Sequence, residues 1–577
     1  MGRVDPVTLE VIRNGLVAAS DEMRSNLMRT AYNPIIYEVL DFSVGLFDRD
    51  CRMVAQAAGL PIFLGNLGIA VGQVVKDVGL ADMRPGDVYL INDPYLTGNH
   101  VNDVTAISPI FCGPEVVGFT AARAHWLDLG GKDPGGSTDS TDVFQEGIRL
   151  RSVRLFREDR LDRSVYRILH DNVRYPESHM GDLRAQVAAC RTGENRVVEL
   201  ASRLGRDVVV EGMAELIAQG ETLARQAIGR IPDGVYSADT YLDNDGVGKD
   251  PVRIRVTVTV DKDRMLFDLG GSSPAVQGPI NCGFPATICG CRIAFKCLTS
   301  PHQPANEGHF APLEVVAPEG SLFNATYPAS TFLYMMSLNM LIEAVLKALS
   351  PALPDRIPAG HYGEMGGFMI FGVNPGTGRP YIHQEPEGGG WGAGAGFDGE
   401  NVMIFLADGD THNCPAEIIE NRFPLRVERY ALREGSGGAG RYRGGLGHYR
   451  DYRILGHDAQ TTCIMDRSVF RPWGVFRGHD GEHSVVVINE ALPGARRLMK
   501  ATGHRLKAGD VVSVRTGGGG GYGDPLERDP EAVRLDVKRD YVTIEEARRV
   551  YGVVVDPGLL TVDPVATAEL RDQLKKG

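Results

Sequence analysis

The chain has little of what would mark a protein for export, for a membrane or for nucleic acid. Its opening residues, Met1-Gly2-Arg3-Val4-Asp5-Pro6, hold no apolar run of the kind a secretory signal needs, which predicts a cytoplasmic protein. No stretch stays apolar over the length of a membrane span. The most apolar helical segment, Thr331 to Leu349, carries Glu343 and Lys347 and reads as a buried core helix, with Met335 and Met336 as filler rather than a cofactor box. Positive charge is not in excess: 61 basic against 74 acidic side chains leave a net charge of −13, so no polyanion-binding surface is advertised and nucleic acid is not an expected partner. Short basic runs such as Arg149 to Arg154 and Arg441-Tyr442-Arg443 read as solvated faces or subunit contacts.

Cysteine is scarce too, nine in 577 residues, which argues against a disulfide framework. The one cluster, Cys282, Cys289, Cys291 and Cys297, has gaps of six, one and five residues that match neither a zinc ribbon nor a finger, and reads as buried thiols of a core helix. A phosphate-binding loop is missing. Gly130-Gly131-Lys132 is followed by Asp133, and Gly390-x-Gly392-x-Gly394-x-Gly396 lacks the strand, helix and acidic partner of a dinucleotide fold. If the chemistry uses ATP, the nucleotide belongs on another subunit. No repeat of fixed period is present.

What the chain does have is length and glycine. At 577 residues, two to four domains are expected. Hydrophobic residues at 43% and charged residues at 23% are ordinary for a globular enzyme, while 71 glycines, about 12% against an average of about 7%, predict many turns and close backbone contacts.

The most informative stretch is Asn99-His100-Val101-Asn102-Asp103, followed by His125. Asp87 to Ile91 reads as a strand, Asn92 to Gly98 as a turn, Asp103 to Phe111 as a second strand, and Val116 to Ala122 as a third leading to His125. A turn centred on Gly113 and Pro114 places His125 across from Asn102, within a residue, and side chains opposite each other in an antiparallel pair lie about 5 Å apart at Cβ. Two imidazoles and a carboxylate then converge at the end of one hairpin. That is a usual set for Zn²⁺, Mn²⁺ or Fe²⁺, and it leaves positions open for water or substrate. The competing reading of the same residues is a turn aspartate plus two satisfied histidines. Asp41, entering a strand of the Tyr37 to Ala55 region, is a third carboxylate candidate that nothing local ties to the histidines.

The pattern as a whole predicts an α+β (mixed α/β) multi-domain chain. Residues 1–232 form an N-terminal metal-binding α/β region, with a helix from Asp5 to about Ala31 and helices across 160–230. Residues 233–424 form a mixed middle region with the core helix and a hairpin made of a strand at 252–260, a turn at Lys262-Asp263 and a further strand, and residues 425–577 a mostly β region of short strands and Gly-rich loops with a short helical tail from Asp529.

Ordered motifs along nearly the whole chain resemble the hydantoinase B and oxoprolinase family: Asp5-Pro6-Val7-Thr8-Leu9-Glu10-Val11, Asp41-Phe42-Ser43, Gly98-Asn99-His100-Val101-Asn102-Asp103-Val104, Ala124-His125-Trp126, Phe144-Gln145-Glu146-Gly147, Gly181-Asp182-Leu183-Arg184-Ala185-Gln186, Gly389-Gly390-Trp391-Gly392 and Gly520-Gly521-Tyr522-Gly523-Asp524-Pro525. That group includes the B-type components of ATP-dependent N-methylhydantoinases and caprolactamase, the matching part of 5-oxoprolinase, and related components of acetone and acetophenone carboxylases. The resemblance implies one divalent metal ion (zinc, manganese or iron) held by His100, Asp103 and His125, with Asp41 a further ligand. It also implies a hetero-oligomer with a hydantoinase A-type partner of actin-like ATPase fold that phosphorylates a small cyclic amide, whose ring this chain would open. A component of a ketone carboxylase is the alternative, and a non-catalytic role supporting the ATPase is a third. Asp128 and Glu146 are candidates for orienting the metal-binding side chains or for moving protons; for each the alternative is a cap or a surface ion pair.

Overall fold

The computed structural model describes residues 4–576. Its first element is the helix Pro6–Thr30, opened by proline in the first turn and by Asp5, whose Oδ1 accepts from the amides of Val7 (3.1 Å) and Thr8 (3.0 Å). Its face of Leu9, Ile12, Leu16, Met23 and Leu27 is buried against the helix Pro176–Leu204. The two helices approach closely at Gly193, where a Cβ would lie 2.3 Å from the sulfur of Met23.

Beside this helical layer stands a seven-stranded antiparallel sheet of β1 (Phe42–Asp48), β2 (Met53–Gln56), β3 (Val88–Ile91), β4 (Asp103–Cys112), β5 (Glu115–His125), β6 (Val153–Arg157) and β7 (Arg160–Leu161), in the order β2-β1-β5-β4-β3-β6-β7. The hairpin turn falls on Gly113 and Pro114 as expected, with Cys112 opposite Glu115. A β-bulge at Ile110/Phe111 then shifts the ladder by one residue, so that His125 stands opposite Asp103 rather than Asn102. On its other side β5 pairs with β1, Ala124 facing Phe42, and the His125 amide donates to the carbonyl of Asp41 (3.1 Å). The end of the central strand is thereby flanked by an aspartate on each side. Gln186, on the helix behind the sheet, clamps this end by donating to the carbonyls of Val104 (2.8 Å) and Ala122 (2.9 Å) and accepting from the Trp126 indole (2.9 Å).

A second sheet holds β8 (Gly234–Leu242), β9 (Val252–Asp261), β10 (Arg264–Asp268) and β11 (Leu313–Val316). The helix Tyr334–Leu349 lies against β8 and β9, buried on almost every side. Two further antiparallel sheets follow. One joins β12 (Gly367–Val373) and β13 (Pro380–Glu385) to β16 (Ala459–Ile464) and β19 (Lys500–Leu506); the other joins β14 (Leu425–Leu432) and β15 (His448–Ile454) to β17 (Val485–Ile488), β18 (Arg496–Leu498) and β20 (Val511–Arg515). Strands from both sides of residue 424 thus share one sheet. The tail packs its own small cluster, with Val533, Val537, Tyr551 and Val553 at its centre.

The glycine runs form loops without helix or strand, as expected, but residues 517–521 are buried and bond to the backbone of other glycine segments. Residues 517–521 run through their middle: Gly517 O accepts from Gly390 N (2.9 Å), Gly519 O from Gly438 N (2.8 Å) and Gly520 O from Ala393 N (3.0 Å), while the amides of Gly519, Gly520 and Gly521 donate to the carbonyls of Gly445 (2.9 Å), Gly360 (2.8 Å) and His479 (2.9 Å). Only glycine permits this spacing, since a Cβ on Gly519 would meet the carbonyl oxygen of Trp391 at 2.0 Å. Among the described residues no helix is long and apolar enough to cross a membrane.

Candidate metal centre

The short helix Pro94–Thr97 ends on Gly98 in the left-handed region (φ 89°), a position where a Cβ would lie 2.3 Å from the amide nitrogen of Ala286. This turn sends Asn99 and His100 into the interior. The amide of Asp103 donates to the carbonyl of His100 (3.0 Å), and that tight turn brings the two side chains together at the head of β4. His100 Nε2 lies 2.9 Å from Asp103 Oδ1, His125 Nδ1 lies 3.0 Å from the same oxygen, and the two ring nitrogens are 3.1 Å apart. All three residues are buried, exposed by 5% or less.

Whether these donors suit a metal is decided by their lone pairs and spacing. His100 donates from Nδ1 to the carbonyl of Phe332 (3.0 Å), which leaves Nε2 bare and facing the other two donors. Asp103 Oδ2 is buried with no hydrogen-bond partner. The three donor atoms, 2.9, 3.0 and 3.1 Å apart, lie close enough together to share one ion, and two histidines with a carboxylate are a usual donor set for a divalent metal. The residues present fit a divalent ion with open positions.

Electrostatics point the same way. Burial alone would push Asp103 up, but the two imidazoles beside it outweigh burial and hold its carboxyl at about 2. For His100 burial pulls down, Asp103 pulls up, and the net direction is up. Arg123, fully buried on β5, bonds only neutral partners, among them Thr105 Oγ1 (2.8 Å), Asn66 Oδ1 (2.5 Å) and Asn99 Oδ1 (2.5 Å), so its charge is free to offset that of Asp103 nearby.

Asp41 lines the same small cavity as the three donors but stands outside their triangle. Burial, and the negative charges of Asp103 and Asp408, push its carboxyl up to about 7 against the pull of His125. Two residues with no signal in the sequence join it. Asp408, pushed up to about 7 by burial, has Oδ2 buried and unpartnered, as is the hydroxyl of Thr411. Phe332, Tyr334, Met335, Met365 and Met369 supply apolar walls. The cavity measures about 40 Å³, where one water needs roughly 10–15 Å³ and a ligand pocket roughly 300–1,000 Å³. It accommodates an ion with a water or two; a ring substrate requires the methionine and loop walls to move.

The other two expected residues stand elsewhere. Asp128 is bound to Arg174, through a short contact to its guanidinium and a bond from its backbone amide (2.9 Å), and also accepts from Gly130 N (3.2 Å). Its oxygens are thus occupied in an ion pair away from the triangle, the structural alternative for that residue. Glu146 accepts from Ser330 Oγ (2.5 Å), Thr331 N (2.6 Å), Phe332 N (2.9 Å) and Thr331 Oγ1 (3.2 Å). It fixes the loop whose Phe332 carbonyl orients His100, and so reaches the site through one intermediary.

Known proteins resemble this chain over its whole length. A family model described as hydantoinase B/oxoprolinase matches residues 5–525. The B-type component of a putative D-/L-hydantoinase from Pseudomonas sp. (strain NS671) is 33% identical over 99% of this chain and 98% of its own length. The crystal structure of ATP-dependent caprolactamase from Pseudomonas jessenii superposes with a TM-score of 0.91 at 29% identity, covering 99% of this chain and 100% of that one. A nucleotide-free acetone carboxylase shares the fold, with a TM-score of 0.91 at 22% identity over 99% of this chain and 83% of that one. The chain belongs to the hydantoinase B/oxoprolinase family.

Proposed function

We propose that this chain is the metal-holding, B-type component of an ATP-dependent enzyme that opens a cyclic amide, a lactam, hydantoin or 5-oxoproline-like ring, after a partner ATPase of the hydantoinase A type has phosphorylated it. The observation that carries the reading is the buried triangle of His100, Asp103 and His125, in a chain with no phosphate-binding loop of its own. The relatives named as a hydantoinase and an ATP-dependent caprolactamase support the reaction class. His100, Asp103 and His125, with Asp41 alongside, would hold a divalent ion, which would supply Lewis acidity to a heteroatom bonded to the activated carbon.

The chain's own residues do the rest. Phe332, Tyr334 and the methionines exclude bulk water from the cavity. Glu146, through the 330–332 loop, keeps His100 in place. Asp408, which lines the cavity and whose Oδ2 is unpartnered, takes the proton of the water that attacks the ring carbon bearing the phosphorylated oxygen, a role that neither Asp128 nor Glu146 is free to fill. The ring C–N bond breaks with a proton passing to nitrogen, and hydrolysis of the acyl phosphate yields the carboxylate and phosphate. The competing reading is a component of an acetone or acetophenone type carboxylase, favoured by the shared fold of acetone carboxylase.

Elemental analysis of the purified chain, with His100→Ala and Asp103→Ala beside it, comes first. Near-stoichiometric metal in the native chain, lost from both variants, is the expected result. Turnover with the partner, ATP and ¹³C-bicarbonate then separates the reactions: a ring-opened product free of label supports the hydrolase, and label retained in a new C–C carboxyl group assigns the carboxylase. Variants that lose metal yet keep full turnover would assign the chain a supporting role.

A further inference from the structure

His100 takes its orientation from Phe332; the outer nitrogen of His125 meets Gln384. As placed, Gln384 Nε2 stands 3.1 Å from His125 Nε2, while Gln384 Oε1 is buried with no hydrogen-bond partner. The two ends of a glutamine amide exchange by a half-turn of its last torsion and are told apart by their partners. With Oε1 toward the ring, the amide accepts from His125 Nε2–H, the orphaned oxygen is satisfied, and Nδ1 presents a bare lone pair toward Asp103 and His100.

Strand β13 is built to hold that amide still. Gln384 lines the metal cavity, Ile382 lies on the same face beside Gly135, and alternation turns His383 and Glu385 to the opposite face. There Glu385 accepts from Tyr452 Oη (2.8 Å) and from the amide of Cys414 (2.7 Å), and pairs with Arg450 at 2.9 Å, all fully buried. A neutral amide on a strand pinned in this way is suited to fixing a ring rather than to carrying charge.

We propose that Gln384 is the positioning residue of His125: its amide oxygen fixes the ring and its tautomer, and so ties the metal-binding hairpin to the sheet of β12 and β13. The inference rests on the metal reading of the same site. Its test is the affinity of the purified full chain for zinc or manganese by chelator competition, in the native chain, Gln384→Leu and Gln384→Glu. Loss of such an outer partner typically costs 10–100-fold in metal affinity. The leucine variant, which fills similar space but accepts no proton, is expected to lose that much; the glutamate variant, which still accepts from Nε2–H, stays within a few-fold of native. Metal-free unfolding midpoints verify that each variant folds, and Gln384→Met replaces leucine if that variant does not. Native affinity in the leucine or methionine variant, or equal losses in leucine and glutamate, overturns the inference alone. A native chain that binds no metal overturns the metal reading and the inference with it.

Discussion

At His100 two forces oppose each other, burial against the imidazolium and Asp103 in its favour, and the second prevails. A metal must displace the proton that this balance retains. With the His100 pKa raised above its ordinary value of 6.5, competition sets in above that pH, and metal affinity is expected to fall as pH falls through it, by about tenfold per pH unit for one competing proton. Titration of metal binding between pH 8 and 5.5 reads this slope; a flat profile would contradict it. Asp408 behaves in the opposite sense. Its folded-state pKa, about 7, lies above that of an unfolded aspartate, so the stability it lends the metal-free chain is present below the ordinary aspartate range and lost as pH rises toward 7. Asp408→Asn is expected to remove that part of the decline, seen in urea midpoints at pH 5 and 8, while lowering turnover in the assembled enzyme by about 10²-fold or more. His100, Asp103 and His125 are legible in the sequence because one hairpin joins them. Gln384 lies 259 residues beyond His125, and no local pattern marks it or Asp408 as facing that hairpin.

Among the elements, the hairpin shows how far alternation and turn chemistry reach. They place the turn at Gly113 and Pro114 but not the bulge at Ile110/Phe111, whose extra residue is what sets His125 opposite Asp103. The pairing of β1 with β5, which brings Asp41 alongside, depends on long-range contacts that the strand pattern of residues 37–55 leaves open. The glycine runs are harder still to read. Flanking strands mark them as loops but not as buried ones, where the absence of Cβ atoms lets backbone meet backbone in the interior. Gly519→Ala is therefore expected to cost several kcal/mol or abolish folding, as overpacking against fixed backbone does. Gly376→Ala, where the nearest atom is the Asn374 side-chain oxygen at 3.3 Å, should change stability by less than about 1 kcal/mol. Thermal unfolding of both variants makes the comparison.

At the scale of the molecule, the proposed ion would join parts that are remote in sequence. The hairpin provides the donors, while the 330–332 loop and β13 hold their outer nitrogens. Metal at 100 times its Kd stabilises the folded chain by about 2.7 kcal/mol. Chelation is accordingly expected to lower amide-exchange protection in residues 380–385 together with residues 103–125, and hydrogen-exchange mass spectrometry reads both at once. Loss confined to the hairpin would show that the two parts are independent.

The run at residues 517–521 also sets an order of events. Gly390, Ala393 and Gly438 donate to carbonyls that lie in that run, and Gly360, Gly445 and His479 accept from its amides. As the chain leaves the ribosome, the hairpin that carries His100 and His125 has every strand it needs within the first part of synthesis, but the glycine segments from 360 to 479 stay without their partners until residue 521 has emerged. These pairings therefore wait on the synthesis of residue 521, and a chain truncated before the run would leave those backbone groups of residues 360–479 without these partners in its interior.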